Sequence, residues 1–239
     1  GTTAIADGDG LLINDAGTMR VSTVQTLAAY LDDEITAMPN LVTVGAGGTA
    51  SSIAGIPFFS ADNSIYTHDV SGTDSTAEQN AAYGIGAMDA ITTGDFNTAV
   101  GWYALGATTT GENNVAIGGG AGKSNTTGAR NIAIGMDAYD ASDTENDNIA
   151  IGFNAMTTDT AGGTYNIAVG NYALDALTSG DYNVVVGGGA GTAINTGSDN
   201  TIYGYLAGNA LTSGSDNVAL GSTSLYTATT TSGNTAVGS

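Results

Sequence analysis

The segment Gly118-Gly119-Gly120-Ala121-Gly122-Lys123-Ser124 holds the residue types in this chain that come nearest to a reactive site. A glycine-rich loop ending in Lys-Ser cradles phosphate when its backbone N–H groups and its ammonium converge on one point. That pattern requires its first glycine where Ile117 stands, and Gly187-Gly188-Gly189-Ala190-Gly191-Thr192 repeats the register without the lysine. The expectation is therefore a structural loop. Asp7-Gly8-Asp9-Gly10 supplies two carboxylates of the kind that bind calcium. It lacks the further acidic ligand and the twelfth-position glutamate of a calcium loop, so it reads as a turn. The single histidine, His68, stands beside Asp69 with no nucleophile motif to serve, and is read as a surface residue. No catalytic constellation emerges, so the chain is expected not to be an enzyme and to need no cofactor.

Two further sets of side chains could bind something. Asp95, Glu112, Asp147, Asp181, Asp199 and Asp216 recur near turn positions. If those turns stack, the carboxylates form either a solvated acidic face or a place for Ca²⁺, though the nonapeptide calcium repeat is not there. Trp102, Tyr103, Phe153, Tyr172 and Tyr205 follow recurrent glycines. A row of aromatic rings packs at an interface or stacks on sugars. Asn125-Thr126-Thr127 fits a glycosylation acceptor, which matters only in a secreted eukaryotic protein.

What positions all of these is an internal repeat. The pentads Asn97-Thr98-Ala99-Val100-Gly101, Asn114-Val115-Ala116-Ile117-Gly118, Asn131-Ile132-Ala133-Ile134-Gly135 and Asn148-Ile149-Ala150-Ile151-Gly152 share one shape. It returns at Asn166 to Gly170, Asn183 to Gly187, Asn200 to Gly204, Asn217 to Gly221 and Asn234, and a weaker copy begins at Asn80. The asparagines lie 17 residues apart except from Asn148 to Asn166, where the step is 18. Alanine follows three residues after most pentad glycines, and a second glycine recurs late in the unit, as at Gly94, Gly111, Gly128, Gly180, Gly197 and Gly214. Each unit reads as a short strand, a glycine turn, a second short segment and a polar turn. That is one coil of a parallel β-solenoid, a β-roll of ten 17-residue coils over residues 80–239.

Composition agrees with a folded repeat. Glycine makes up 37 of 239 residues with only 2 prolines and no Gly-X-Y period, which excludes collagen. The apolar share of 41% is too large for a disordered polar tract. Lysine plus arginine number 3 against 23 acidic residues, for a formal charge of −20. Such a chain has no cationic footprint for nucleic acid and is repelled by anionic membranes. No apolar run reaches the length of a membrane span, and the chain has no cysteine.

Within the pentad, side chains alternate between two faces. The third position is nearly always alanine and suits a narrow interior, with Val185 and Ile202 as exceptions. Stacked asparagines are expected to form a ladder that satisfies turn amides along the axis. Positions two and four carry Ile132 and Ile134, Ile149 and Ile151, Ile167 and Val169, and need a second surface to cover them. The expected cover is neighbouring copies packed about a three-fold axis; the alternative is a wider coil that buries everything itself.

The unit from 97 to 111 resembles the NTAVG-x-x-AL-x-x-x-TTG repeats of phage tail-fibre proteins. With a longer period it also resembles the head repeats of trimeric autotransporter adhesins, which form left-handed parallel β-rolls. Residues 9–20 are similar to segments of phage structural proteins. The resemblance implies a homotrimeric shaft in a virion tail fibre, joined to a tail or baseplate protein and reaching toward a host glycan or receptor. A bacterial surface adhesin and a self-contained glycan-binding solenoid are the alternatives. Many such fibres end in a self-cleaving chaperone segment; none is visible here, so the chain is expected to be a processed product or a fragment.

The first 79 residues differ in texture. Residues 1–39 read as an attachment region, in which residues 10–20 form a hairpin turning at Asn14-Asp15-Ala16-Gly17. A helix is expected from Ser22 or Thr23 to about Thr36, with Val24, Leu27, Leu31 and Ile35 on one face. Residues 40–79, around Pro39, Pro57 and the Gly45-Ala46-Gly47-Gly48 run, read as a linker whose irregular strands cap the first coil.

Overall fold

The structure is a computed structural model that describes residues 10–15, 18–23, 43–44, 50–53, 56–57, 65–66, 76–158 and 162–239. The chain divides into two compact units, Gly1–Phe58 and Phe59–Ser239. In the first, β1 (Gly10–Asp15) and β2 (Thr18–Thr23) pair antiparallel from Gly10 opposite Thr23 to Asp15 opposite Thr18. The hairpin stands as expected, but its strands run further. Asn14 and Asp15 belong to β1, and Ser22 and Thr23 belong to β2. A helix therefore does not begin at Ser22, and residues 24–36 of that expectation lie outside the described residues. Strands β3 (Thr43–Val44), β4 (Ala50–Ile53) and β5 (Ile56–Pro57) form a second small antiparallel sheet.

The second unit is a parallel β-solenoid. Its strands are β6 (Ile65–Tyr66), β7 (Ala81–Tyr83), β8 (Thr98–Val100), β9 (Val115–Ile117), β10 (Ile132–Ile134) and β11 (Ile149–Ile151). They continue as β12 (Ile167–Val169), β13 (Val184–Val186), β14 (Thr201–Tyr203), β15 (Val218–Leu220) and β16 (Thr235–Val237). All eleven lie in one sheet in chain order. The ten repeat strands stack in register through about nine turns, so that Ala133 meets Ala116 on one side and Ala150 on the other. The described residues contain no helix.

Numbering each unit from its asparagine, the third position points inward. Ala99, Ala116, Ala150, Ala168 and Ala219 have no exposed surface, and the position-eight alanines (Ala87, Ala104, Ala121, Ala138, Ala155, Ala173, Ala190, Ala207) are equally buried. Between these two columns of methyl groups the larger side chains of positions nine and twelve fill the coil: Met88 with Ile91, Leu174 with Leu177. Val185 and Ile202 depart from alanine because their own coils carry Gly191 and Gly208 at position nine. A Cβ on Gly191 would stand 3.5 Å from Val185 Cγ1, and one on Gly208 would stand 2.7 Å from Ile202 Cδ1. In these two coils the larger third residue takes up the space that glycine leaves at position nine, whereas the coil of Gly122 keeps Ala116.

Asparagine binds the coils together. The N–H of each asparagine donates to the side-chain oxygen of the one before: Asn97 to Asn80 at 2.8 Å, Asn131 to Asn114 at 2.9 Å, Asn183 to Asn166 at 3.0 Å. Its Nδ2 donates across its own coil to the carbonyl at position fifteen, Asn97 to Gly111 at 2.8 Å and Asn166 to Gly180 at 2.8 Å. The expected ladder is present, and the same amide also braces each coil across its width.

The glycines act by two different means. At position five φ lies near +140°, as at Gly101 (+140°) and Gly152 (+140°), and a Cβ would collide with the next coil's backbone. At position fifteen the conformation is ordinary, and glycine is needed because the next coil passes too close for a side chain. The second short segment is not a strand but a run of turns, because positions seven and nine both take positive φ, as in Tyr103 (+50°) and Leu105 (+50°). Its backbone still pairs from coil to coil, Leu105 N–H donating to Ala121 O at 3.0 Å.

Candidate interaction surface

The outer face of the sheet is built by positions two and four, which the pleat turns away from the alanine column. Across β7 to β16 none of these side chains carries a charge at pH 7. From β9 to β13 both columns are valine or isoleucine throughout. Ile132, Ile134, Ile149, Ile151, Ile167 and Val169 are each half-buried, lying against one another along the axis, while Tyr83, Tyr203 and Val237 near the ends are largely exposed. In a chain of net charge −20, this strip is uncharged along its whole length.

One margin of the strip is the last residue of each coil, which takes positive φ in every complete coil, as at Phe96 (+59°), Arg130 (+60°) and Tyr182 (+57°). Arg130 donates to both oxygens of Asp147 at 2.6 and 2.8 Å, and this bond holds the Asp147 carboxyl below its ordinary value. Tyr165 and Tyr182 stack in parallel with centroids 5.1 Å apart. This margin was not foreseen, since its residue types vary and only the register brings them into line.

The other margin is position six, just past the pentad glycine. It holds Ile85, Trp102, Met136, Phe153 and Tyr205, all exposed. Of the aromatics expected here, Trp102, Phe153, Tyr172 and Tyr205 are exposed, while Tyr103 is half-buried, its ring covering the backbone of Gly86. Trp102 meets Tyr103 edge-to-face at 4.8 Å, and Phe153 meets Tyr172 likewise at 5.3 Å.

Two of the six acidic residues near the turns, Asp95 and Asp181, accept from backbone N–H groups. Asp95 Oδ1 accepts from Glu78 N–H at 2.7 Å, and Asp181 Oδ1 accepts from Thr164 N–H at 2.8 Å. Asn146, Ser198, Ser215 and Ser232 accept in the same way at position sixteen, which makes a second axial ladder. The signal was legible in principle: position sixteen favours short side chains with an oxygen that can cap an N–H. Asp147, Asp199 and Asp216 stand one position later, on the margin described above. Among the described residues no three histidine, cysteine, aspartate or glutamate side chains converge to hold a metal ion. Asp7, Asp9 and His68 lie outside the described residues.

Residues 118–124 occupy positions five to eleven of an ordinary coil. Their N–H groups are spent: Gly118 donates to Val100 O, Gly120 to Trp102 O, Gly122 to Ala138 O and Ser124 to Asp140 O, all at 2.8–3.0 Å. A phosphate cradle would need them free.

Two coils depart from the rule at position fifteen, where Thr231 stands in one and Glu145 in the other. Glu145 replaces glycine, is only 4% exposed, and precedes the 18-residue turn. Burial pushes its carboxyl up, but hydrogen bonds from Ser142 Oγ at 2.6 Å and from the N–H groups of Asp143 and Thr144 at 3.1 Å outweigh that and hold it below its ordinary value.

No protein-family model, curated protein or solved structure matches this chain.

Proposed function

We propose that the solenoid is a rigid fibre shaft that associates with copies of itself through the uncharged sheet face, three chains about one axis, in a phage tail fibre that carries attachment to the host. The observation that carries this reading is the strip formed by positions two and four. At one strand spacing of about 4.8 Å per coil it runs about 48 Å, on the order of 500 Å² if roughly 10 Å wide. That lies at the upper end of the apolar patches that monomers leave exposed. The coil interior is already filled, so these side chains contribute little to holding one chain together. Covering them would release apolar surface from water at roughly 25 cal/mol per Å². The contact itself is argued from the face; the number three and the virion setting rest on the resemblance of the repeat to trimeric fibres.

The experiment is Ile132→Asp with Ile134→Asp, followed by sedimentation and circular dichroism. The reading expects smaller particles with an unchanged β spectrum. Loss of the β spectrum would return these residues to the intrachain core, and unchanged particle size would remove them from any contact.

A further inference from the structure

The glycine run 118–120 interrupts the column of large side chains at position six. Trp102 stands one coil below and Met136 one coil above, 55% and 58% exposed, and between them Gly119 leaves a notch. A Cβ built on Gly119 would meet nothing within 4 Å. The coils of Trp102 and Met136 lie two strand spacings apart, roughly 9.6 Å, which leaves room for one ring between them.

The notch has polar groups of both signs at its rim. Lys123, in the same coil as Gly119, holds its ammonium over the face of the Trp102 ring, 5.7 Å from its centre. Asp137, in the coil above, lays its carboxylate against the backbone of Gly120 and ties its N–H to Gly119 O at 2.9 Å. The coil beneath is fixed to the same loop, since Gly120 N–H donates to Trp102 O at 2.8 Å. Aromatic wall, cation and carboxylate are thus held by three successive rigid coils.

The second glycine run is a natural control. Gly188 occupies the same position between Asn171 and Tyr205, but there the Tyr205 ring leans in to 3.7 Å of a Cβ on Gly188. Thr192 replaces the lysine and Leu206 replaces the aspartate. The same glycine sequence therefore makes a partly filled, uncharged notch at 188 and an open one with charged rims at 119.

We infer that the notch at Gly119 binds one uncharged pyranose ring of a glycan, its C–H face taking the place of the Lys123 ammonium over Trp102 and its hydroxyls bonded by Asp137 and by the displaced Lys123. Sugars combine an apolar face with a rim of hydroxyls, and the notch presents the matching pair of features. A carboxylate accepts from two hydroxyls while an ammonium donates to a third. Asp140 stands near enough to Lys123 and Asp137 to feel both charges. Two carboxylates beside one ammonium, on a chain of net charge −20, disfavour an anionic sugar. This site is separate from the sheet face formed by positions two and four and does not depend on self-association.

Trp102 is the one tryptophan in the chain, so its fluorescence reports this site directly. The full chain is titrated with methyl glycosides of glucose, galactose, mannose and N-acetylglucosamine, with glucuronic and sialic acids as anionic probes. The expected result is a saturable emission change with at least one neutral glycoside. Gly119→Leu, which fills the notch from an unstrained backbone position and keeps the tryptophan, should abolish it. Asp137→Asn should weaken it at least about tenfold. Binding of the anionic sugars alone, an equal response in Gly119→Leu with an unchanged thermal melt, or no saturable response to any probe overturns the assignment.

Discussion

The inside of the coil and the outer face of its sheet are built from adjacent residues of the same three-residue strands, and they obey different rules. Inside, position three is alanine in most coils, and where it grows to Val185 or Ile202 a glycine at position nine makes room. Position one is asparagine in every coil, each amide tied to a neighbour and across its own turn. Outside, valine, isoleucine, threonine, tyrosine and leucine alternate freely so long as none is charged. The asparagine ladder and the alanine columns are set by backbone geometry, which holds them nearly constant, while positions nine and twelve vary from coil to coil. The exterior shows a single constraint, the absence of charge, and no fixed shape.

Substitutions that break the interior should therefore destabilise one chain, and substitutions that break the exterior should change only its association. The largest effect is expected at Gly135→Val. It combines a φ of +133° with a Cβ placed inside the Gly152 carbonyl, for a loss of about 4 kcal/mol read by denaturant unfolding. Ala133→Phe overpacks the coil between Ala116 and Ala150, at a cost of about 3 kcal/mol. An unchanged melting temperature for Ala133→Phe would contradict the inward assignment of position three.

Asn183→Ala removes the acceptor for Asn200 N–H and the donor to Gly197 O, both buried. It should destabilise by about 2 kcal/mol, measured as a shift in unfolding midpoint. A loss confined to the outer face, with the melt unchanged, would mean the ladder is not the brace it looks to be.

The smallest effect sharpens the comparison by pH. Glu145 is held ionised below the ordinary glutamate value of 4.5, so its hydrogen bonds stabilise the coil at neutral pH. That stability is fully present above the unfolded value and is lost as pH falls through the lower folded one. Thermal melts from pH 7 downward should show a steeper acid loss for the native chain than for Glu145→Gln. Identical acid profiles would show that the carboxylate contributes nothing.

Much of the interior was legible from the residues. The 17-residue step located the ten repeat strands β7 to β16, alternation turned position three inward, and the run of asparagines implied the ladder. Three things were not. Positive φ was expected of glycine, yet Leu105, Tyr139, Met156 and Leu174 adopt it at position nine, because turn-to-turn hydrogen bonds and a buried side chain override the local preference. The carboxylates of Asp95 and Asp181 looked like a charged face until stacking aimed them at the N–H groups of the preceding coil. The notch at Gly119 needed three coils in register to become visible, since the glycine run alone resembles its filled counterpart at Gly188.

The most direct test of the central claim is the solution mass of the 23.5 kDa chain by multi-angle light scattering at physiological salt. A mass near three chains, falling toward one when Ile132 and Ile134 are replaced by aspartate, is the expected result. A single-chain mass at every concentration would contradict the shaft and leave the solenoid as a self-contained binding surface.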